Sequence, residues 1–278
     1  MSNNPEIGNS IQTGAFKTNY HDVGQGEPLF LIHGSGPGVT AWANWRLVIP
    51  SLAEQYRVIA PDMAGFGYTE RVDGYNYTMD NWVQNAIDLM DALGIEKTHL
   101  VGNSFGGALA IALAIHHPQR VERLILMGAA GVDFELTPGL DQVWGYEPSV
   151  ENMRSMMDLF AYNRSLVTDE LAQLRYEASI QPGFQETFSQ MFPAPRQRSV
   201  DALASKPQDL KNINHETLIL HGREDVVVPP VTSTTLFDLI PNSQLHMFGC
   251  CGHWTQIEHN ARFIELVKDF LAEAYCTG

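Results

Sequence analysis

The stretch Thr98-His99-Leu100-Val101-Gly102-Asn103-Ser104-Phe105-Gly106-Gly107 decides the fold. Thr98 to Gly102 reads as a short strand, and Gly106 to Ile115 is apolar all round, the pattern of a buried helix. Between them, Gly102-Asn103-Ser104-Phe105-Gly106 has the spacing G-x-S-x-G in the context that motif demands, after a buried strand and before a buried helix. A serine held in so tight a turn projects its hydroxyl outward from a strained backbone. Its neighbours two positions away on either side must be small so that strand and helix can approach. Both are glycine, and Gly107 adds room. The new helix also aims backbone N–H groups at any anion that forms beside Ser104.

The same alternation repeats outward from this turn. Pro28-Leu29-Phe30-Leu31-Ile32-His33 ends in the glycine-rich turn Gly34-Ser35-Gly36-Pro37-Gly38, and Arg57-Val58-Ile59-Ala60-Pro61 runs into Asp62-Met63-Ala64-Gly65-Phe66-Gly67. Arg123 to Met127, Thr217 to His221 and Gln244 to Phe248 give three further strand signals. Runs so nearly continuous in apolar residues suit parallel strands buried on both faces. A helix from Met79 to Leu93 turns Trp82, Val83, Ala86, Ile87 and Met90 inward and stops at Gly94, and another from Ala261 to Ala274 closes the chain. Strands alternating with helices predict an α/β fold with a largely parallel sheet.

The alternation breaks between roughly Gly131 and Asn214, where no strand signal stands out. Val150, Met153, Met157 and Phe160 fall at helical spacing, and Thr168 caps a second helix reaching Ser179. An all-helical insertion in such a sheet reads as a lid over the site, and its methionine stripe reads as helix packing rather than ligand contact. The expected division is a core of 1–130 and 215–278 and a lid of 131–214.

Composition narrows the function. With 278 residues, 44% hydrophobic and 18% charged, the chain is neither disordered nor fibrous. Seventeen basic against 32 acidic residues, a net charge of −15, disfavour DNA, RNA and anionic lipid as partners. Its apolar runs fall well short of the roughly 18 residues that suggest a membrane span. The start Met1-Ser2-Asn3-Asn4-Pro5-Glu6 lacks the features of a secretory signal. Cys250, Cys251 and Cys276 form neither a disulfide framework nor a zinc pattern, so a reducing cytoplasm is expected and a metal is not. The turn His33-Gly34-Ser35-Gly36-Pro37-Gly38 lacks the spacing of a nucleotide loop, and no cofactor is expected.

A serine hydroxyl needs a base. His253, in Gly249-Cys250-Cys251-Gly252-His253-Trp254 after the last strand signal, is placed to reach Ser104 on a flexible loop. Asp225, at the carboxyl end of the Thr217 strand, is the expected orienting acid, with Glu224 and Asp133 as rivals. The order Ser104, Asp225, His253 is that of the α/β-hydrolases. The oxyanion would take the N–H of Phe105 and that of Ser35 in the glycine-rich turn.

Ser35-Gly36-Pro37-Gly38, Asn44-Trp45-Arg46, Gly102-Asn103-Ser104-Phe105-Gly106-Gly107, Arg175-Tyr176-Glu177-Ala178 and Gly252-His253-Trp254-Thr255-Gln256 together resemble the meta-cleavage product hydrolases, over nearly the whole chain. The likeness is to the branch acting on 2-hydroxymuconic semialdehyde and its 6-alkyl relatives. It implies an eight-stranded, mostly parallel sheet flanked by helices, a helical lid and a homo-oligomer. It also implies hydrolysis of the C5–C6 bond of an anionic 2-hydroxy-6-oxo-2,4-dienoate. Arg175 would pair in bidentate fashion with the substrate carboxylate, and Asn44, Asn103 and the Trp254 indole would donate to the carboxylate and 2-oxygen. Leu140, Trp144, Val200 and Val228 are candidates for the apolar side that meets the C6 substituent. A carboxylesterase or lactonase would share the triad but gain nothing from Arg175. A ligand-binding receptor on a hydrolase scaffold is the reading from another class.

Overall fold

The computed structural model describes residues 4–273. Cys276, Ala274 and the start Met1-Ser2-Asn3 lie outside the described residues. Eight strands, β1 (Asn9–Thr13), β2 (Phe16–Val23), β3 (Glu27–Ile32), β4 (Tyr56–Pro61), β5 (Thr98–Asn103), β6 (Val121–Met127), β7 (Thr217–Gly222) and β8 (Ser243–Phe248), form one sheet in the order β1-β2-β4-β3-β5-β6-β7-β8. Every pair from β4 across to β8 is parallel, and β1–β2 and β2–β4 are antiparallel.

The apolar runs are sorted by strand geometry. Successive side chains point to opposite faces. Phe30, Ile32, Leu124, Leu126 and Ile219 join a core against the helices Met79–Ala92 and Phe105–His116. Leu29, Leu31, Ile125, Met127, Leu218 and Leu220 join a second core, which holds Trp45, Ile49, Phe263 and Val267 from helices on the other face. Both faces are covered, so an unbroken apolar run is the right composition for the central strands.

Helix ends follow the side-chain chemistry. Thr78 caps Met79–Ala92 by accepting from Asn81 N–H, and Gly94, at φ +67°, lies just past its end. The closing helix Asn260–Ala272 ends on Arg123 of β6, which is 1% exposed and donates to the carbonyls of Phe270, Leu271 and Glu273. A cation there satisfies carbonyls that no longer have an intrahelical partner.

Two strands escape a hydropathy reading. The buried positions of β2 include Thr18, Asn19 and His21, and β1 has mostly exposed residues. Two of the buried polar side chains have partners: Thr13 and Thr18 share a hydroxyl hydrogen bond of 2.5 Å, and Asn19 bonds to Gly8 N–H, Glu6 O and Asp62. β8 also departs from expectation. It is an edge strand in which only Phe248 is buried.

Between β6 and β7 the described residues contain no strand. The chain forms helices at Pro138–Trp144, Val150–Phe160, Asp169–Ser179, Phe184–Met191, Gln197–Leu203 and Pro207–Lys211. Thr137, Ser149 and Thr168 cap the first three with their hydroxyls.

Backbone segments approach closely around the β5 turn. A Cβ on Gly102 would stand 2.3 Å from Gly106 O, one on Gly106 2.3 Å from Ile32 O, and one on Gly107 2.4 Å from the Ala129 methyl. Gly106→Ala is therefore expected to destabilise the protein by about 3 kcal/mol through overpacking. A urea midpoint equal to wild type would show that the helix can retreat from β3.

Candidate active site

Ser104 is the residue between β5 and the helix Phe105–His116, with φ 56° and ψ −115°. A non-glycine residue with positive φ is strained, and such strain persists only where the surroundings impose it. Here they do. Ser104 N–H donates to Met127 O, while its own carbonyl accepts from Gly107, Ala108 and Ala130. The N–H of Phe105, the first of the helix, has no acceptor among the described residues, and neither has that of Ser35.

Asp225 and His253 meet at the carboxyl ends of β7 and β8. His253 Nδ1 lies 2.6 Å from Asp225 Oδ2, and Asp225 Oδ1 accepts from the N–H groups of Val227 (2.8 Å) and Val228 (3.0 Å). Burial opposes ionisation of Asp225, but the imidazoles of His253 and His221 outweigh it and hold the carboxyl well below the usual carboxylate range. Of the rivals, Asp133 is exposed, and Glu224 instead accepts from Cys251 N–H.

The His253 loop is pinned rather than flexible. His253 N–H and Trp254 N–H both donate to Phe160 O, at 2.7 and 3.2 Å, and the Phe160 ring stacks against both side chains. Gly252 is needed for close approach, since a Cβ there would stand 2.6 Å from Phe160 O. Ser104 and His253 line the same cavity, though no hydrogen bond joins their side chains in this structure. Such contacts are often long without a substrate. Burial pushes the neighbouring Cys251 thiol up to about 12, so it stays protonated.

The glycine-rich turn after β3 is braced by His33. Burial pulls this imidazole down to about 4, so it is neutral, and its Nε2 accepts from Met63 N–H at 3.0 Å. Its Nδ1–H therefore donates to Gly34 O at 2.7 Å. Asn44 Oδ1 accepts from both Gly34 N–H and Asn103 Nδ2, each at 3.1 Å. One N–H of the Asn103 amide is engaged in this way, and its buried Oδ1 has no partner among the described residues. Asn103 thus offers an acceptor, suited to a hydroxyl.

The cavity measures about 670 Å³, within the range of small-molecule sites. Ser35, Asn44, Asn103, Ser104, Arg175, His253 and Trp254 all line it. Leu140, Trp144, Val200 and Val228 do not. All four are buried behind the wall, and Val143 and Val227 face the cavity in place of their neighbours. Trp144 has a specific reason to be elsewhere. A buried indole N–H needs an acceptor. It donates to Ser35 Oγ at 3.0 Å while the ring stacks on Phe192. The methionine stripe also reads differently in three dimensions, because Met153, Met156 and Met157 line the cavity.

Arg175 has a partner that the sequence did not suggest. One end of its guanidinium donates to Glu6 at 2.5 Å and the other to Gly38 O. Two of five donors are engaged, so a carboxylate would meet the remaining N–H groups, with Glu6 as a competing anion.

Comparison with known proteins accounts for this combination. Residues 27–260 match the model of the alpha/beta hydrolase fold family. The chain is 64% identical over 269 residues to the 2-hydroxy-6-oxo-2,4-heptadienoate hydrolase of Pseudomonas putida, covering 97% of this chain and 98% of the relative. It is 62% identical to the 2-hydroxymuconate semialdehyde hydrolase of a Pseudomonas species, covering 98% and 96%. The crystal structure of the meta-cleavage product hydrolase CumD of Pseudomonas fluorescens, a variant complexed with acetates, superposes with a TM-score of 0.97 at 64% identity, over 98% of this chain and all of that one. The chain belongs to the meta-cleavage product hydrolases of the α/β-hydrolase superfamily.

In this meta-cleavage product hydrolase, sequence reasoning missed Glu6, Phe160 and His221. Glu6 sits 169 residues from Arg175 with no local pattern to link them. Phe160 shows only as one member of a helical stripe. His221 shows only as the end of an apolar strand.

Proposed function

We propose that this hydrolase cleaves the C5–C6 bond of 2-hydroxymuconic semialdehyde and 6-alkyl 2-hydroxy-6-oxohexa-2,4-dienoates. The observation that carries the reading is one cavity lined both by a serine on a strained turn and the histidine of an Asp–His pair and by Arg175, Asn44 and Asn103. A plain esterase needs only the first set. The names of the relatives at 62–64% identity support the same substrate class.

The chemistry follows from the groups present. The dienoate carboxylate docks on the free N–H groups of Arg175, and the 2-hydroxyl donates to Asn103 Oδ1. Ketonisation moves the 2-hydroxyl proton to C5, shifts the double bonds and gives a 2,6-dioxo-3-enoate. Ser104 Oγ attacks C6 as His253 takes its proton, and Asp225 stays ionised to fix the imidazole tautomer and stabilise the imidazolium. The oxyanion on C6 accepts from the N–H groups of Ser35 and Phe105. The C5–C6 bond then breaks, its electron pair delocalises toward the 2-oxygen, and His253 returns the proton. The fragment leaves as 2-hydroxypenta-2,4-dienoate. Water, activated by His253, releases the acyl group from Ser104 as a carboxylic acid. The helical segment 131–214 serves as the lid, since Val143, Met153, Met156, Met157, Phe160 and Arg175 all come from it.

The test is a substrate series with hydrogen, methyl and phenyl at C6, followed by loss of the yellow dienolate absorbance. The hydrogen and methyl substrates are expected to turn over at least about tenfold faster, as kcat/KM, than the phenyl one. Failure on all three, with a neutral ester still hydrolysed, would leave a carboxylesterase.

A further inference from the structure

Asp225 Oδ2 faces two imidazoles rather than one. Besides His253 Nδ1 at 2.6 Å, His221 Nε2 lies 3.3 Å away. His221 is fully buried near the end of β7, and it does not line the cavity. Its Nε2 also stands 3.0 Å from Val228 O, and its Nδ1 2.6 Å from Ser233 Oγ. Both groups facing Nε2 are acceptors only, so Nε2 carries the hydrogen. Nδ1 is then the acceptor, and the Ser233 hydroxyl donates to it, which fixes the tautomer. Ser233, on the helix Val231–Leu239, is itself fully buried. The segment 221–233 is thereby closed on itself, with two N–H groups on one carboxylate oxygen of Asp225 and the His221 donor beside the other.

We propose that His221, locked by Ser233, is a positioning residue that holds Asp225 Oδ2 toward His253. The inference rests on the triad reading above. Without His221, Asp225 keeps the two backbone N–H groups on Oδ1 but has only His253 on Oδ2, so that oxygen is held less firmly and the imidazole it orients loses part of its alignment. No substrate group is involved, so the effect falls on turnover and not on binding.

The test measures kcat and KM for the dienoate and for a neutral ester, with the downfield proton resonance of His253 Nδ1–H recorded alongside. His221→Leu is expected to lower kcat about tenfold for both substrates, with KM within about twofold, and to shift that resonance upfield. His221→Gln, which places an amide N–H near the original Nε2, is expected to stay within about threefold of wild type and keep the resonance. Wild-type kcat in His221→Leu, or equal losses in the Leu and Gln variants, overturns the proposal. If His221→Leu fails to fold, Ser233→Ala decides, because wild-type kcat and an unmoved resonance there also overturn it. Asp225→Asn separates the two readings. Full activity in that variant removes the triad itself, whereas its loss alongside an unaffected His221→Leu removes only the role of His221.

Discussion

Replacing Ser104 with alanine is expected to cut steady-state formation of 2-hydroxypenta-2,4-dienoate by about 10⁴-fold, with little change in substrate binding. The serine is held with φ 56° by four backbone hydrogen bonds, none of which uses its side chain. Alanine therefore inherits the turn, and the loss reports the hydroxyl alone. Residual activity would come from the unpaired N–H groups of Ser35 and Phe105 and from substrate orientation, which survive the change. A variant that kept wild-type turnover would sink the assignment of Ser104 as nucleophile and point to direct attack of water on C6. Single-turnover experiments sharpen the result. An acyl group released as free acid only after the dienoate product appears is the signature of a covalent route.

Arg175→Ala is expected to lower kcat/KM for the dienoate by about 100-fold while hydrolysis of a neutral ester falls by less than about threefold. The side chain is 15% exposed, so its charge is not spread into bulk water. Removing it also strands Glu6, whose side chain is 13% exposed and would then face an incoming anion unpaired. The double variant Glu6→Gln with Arg175→Ala separates these contributions. It is expected to recover part of the dienoate loss, since the repulsion goes and the missing attraction remains. Equal losses on both substrates in Arg175→Ala would mean that the arginine supports the wall of the cavity and does not recognise a carboxylate. The net charge of −15 makes this contrast informative. A chain so acidic offers no general attraction for an anion, so recognition has to be local.

What was legible in the sequence was whatever local physics enforces. Five of the six strand signals follow from burial on both faces, and the turn at Ser104 follows from three glycines whose missing Cβ atoms would otherwise collide with neighbouring backbone or side chain. Asp225 and His253 could be named because strand ends in a parallel sheet converge. What escaped depends on pairing across long distances. β2 has Thr18, Asn19 and His21 at buried positions, and a hydrogen bond such as that of Asn19 to Asp62, 43 residues on, is invisible to a hydropathy pattern. Glu6 and Arg175 are joined only by the folded chain. The apolar wall differs from the sequence expectation by one to three positions, Val143 standing in for Leu140 and Trp144 and Val227 for Val228, with Val200 off the wall, because helix and strand periodicity names an inward face without saying which inward residue borders empty space. The methionine stripe is the same case, because both packing and cavity lining bury a side chain.

From β5 onward, the order of strands across the sheet is their order along the chain. A protein emerging from the ribosome can therefore add each new strand to an edge already laid down. The serine turn belongs to the first of these strands, and the histidine follows the last. Until the residues after β8 are made, the nascent chain holds its nucleophile with no base beside it. Reactivity thus arrives only when the outermost strand docks on β7 and brings His253 to the serine turn.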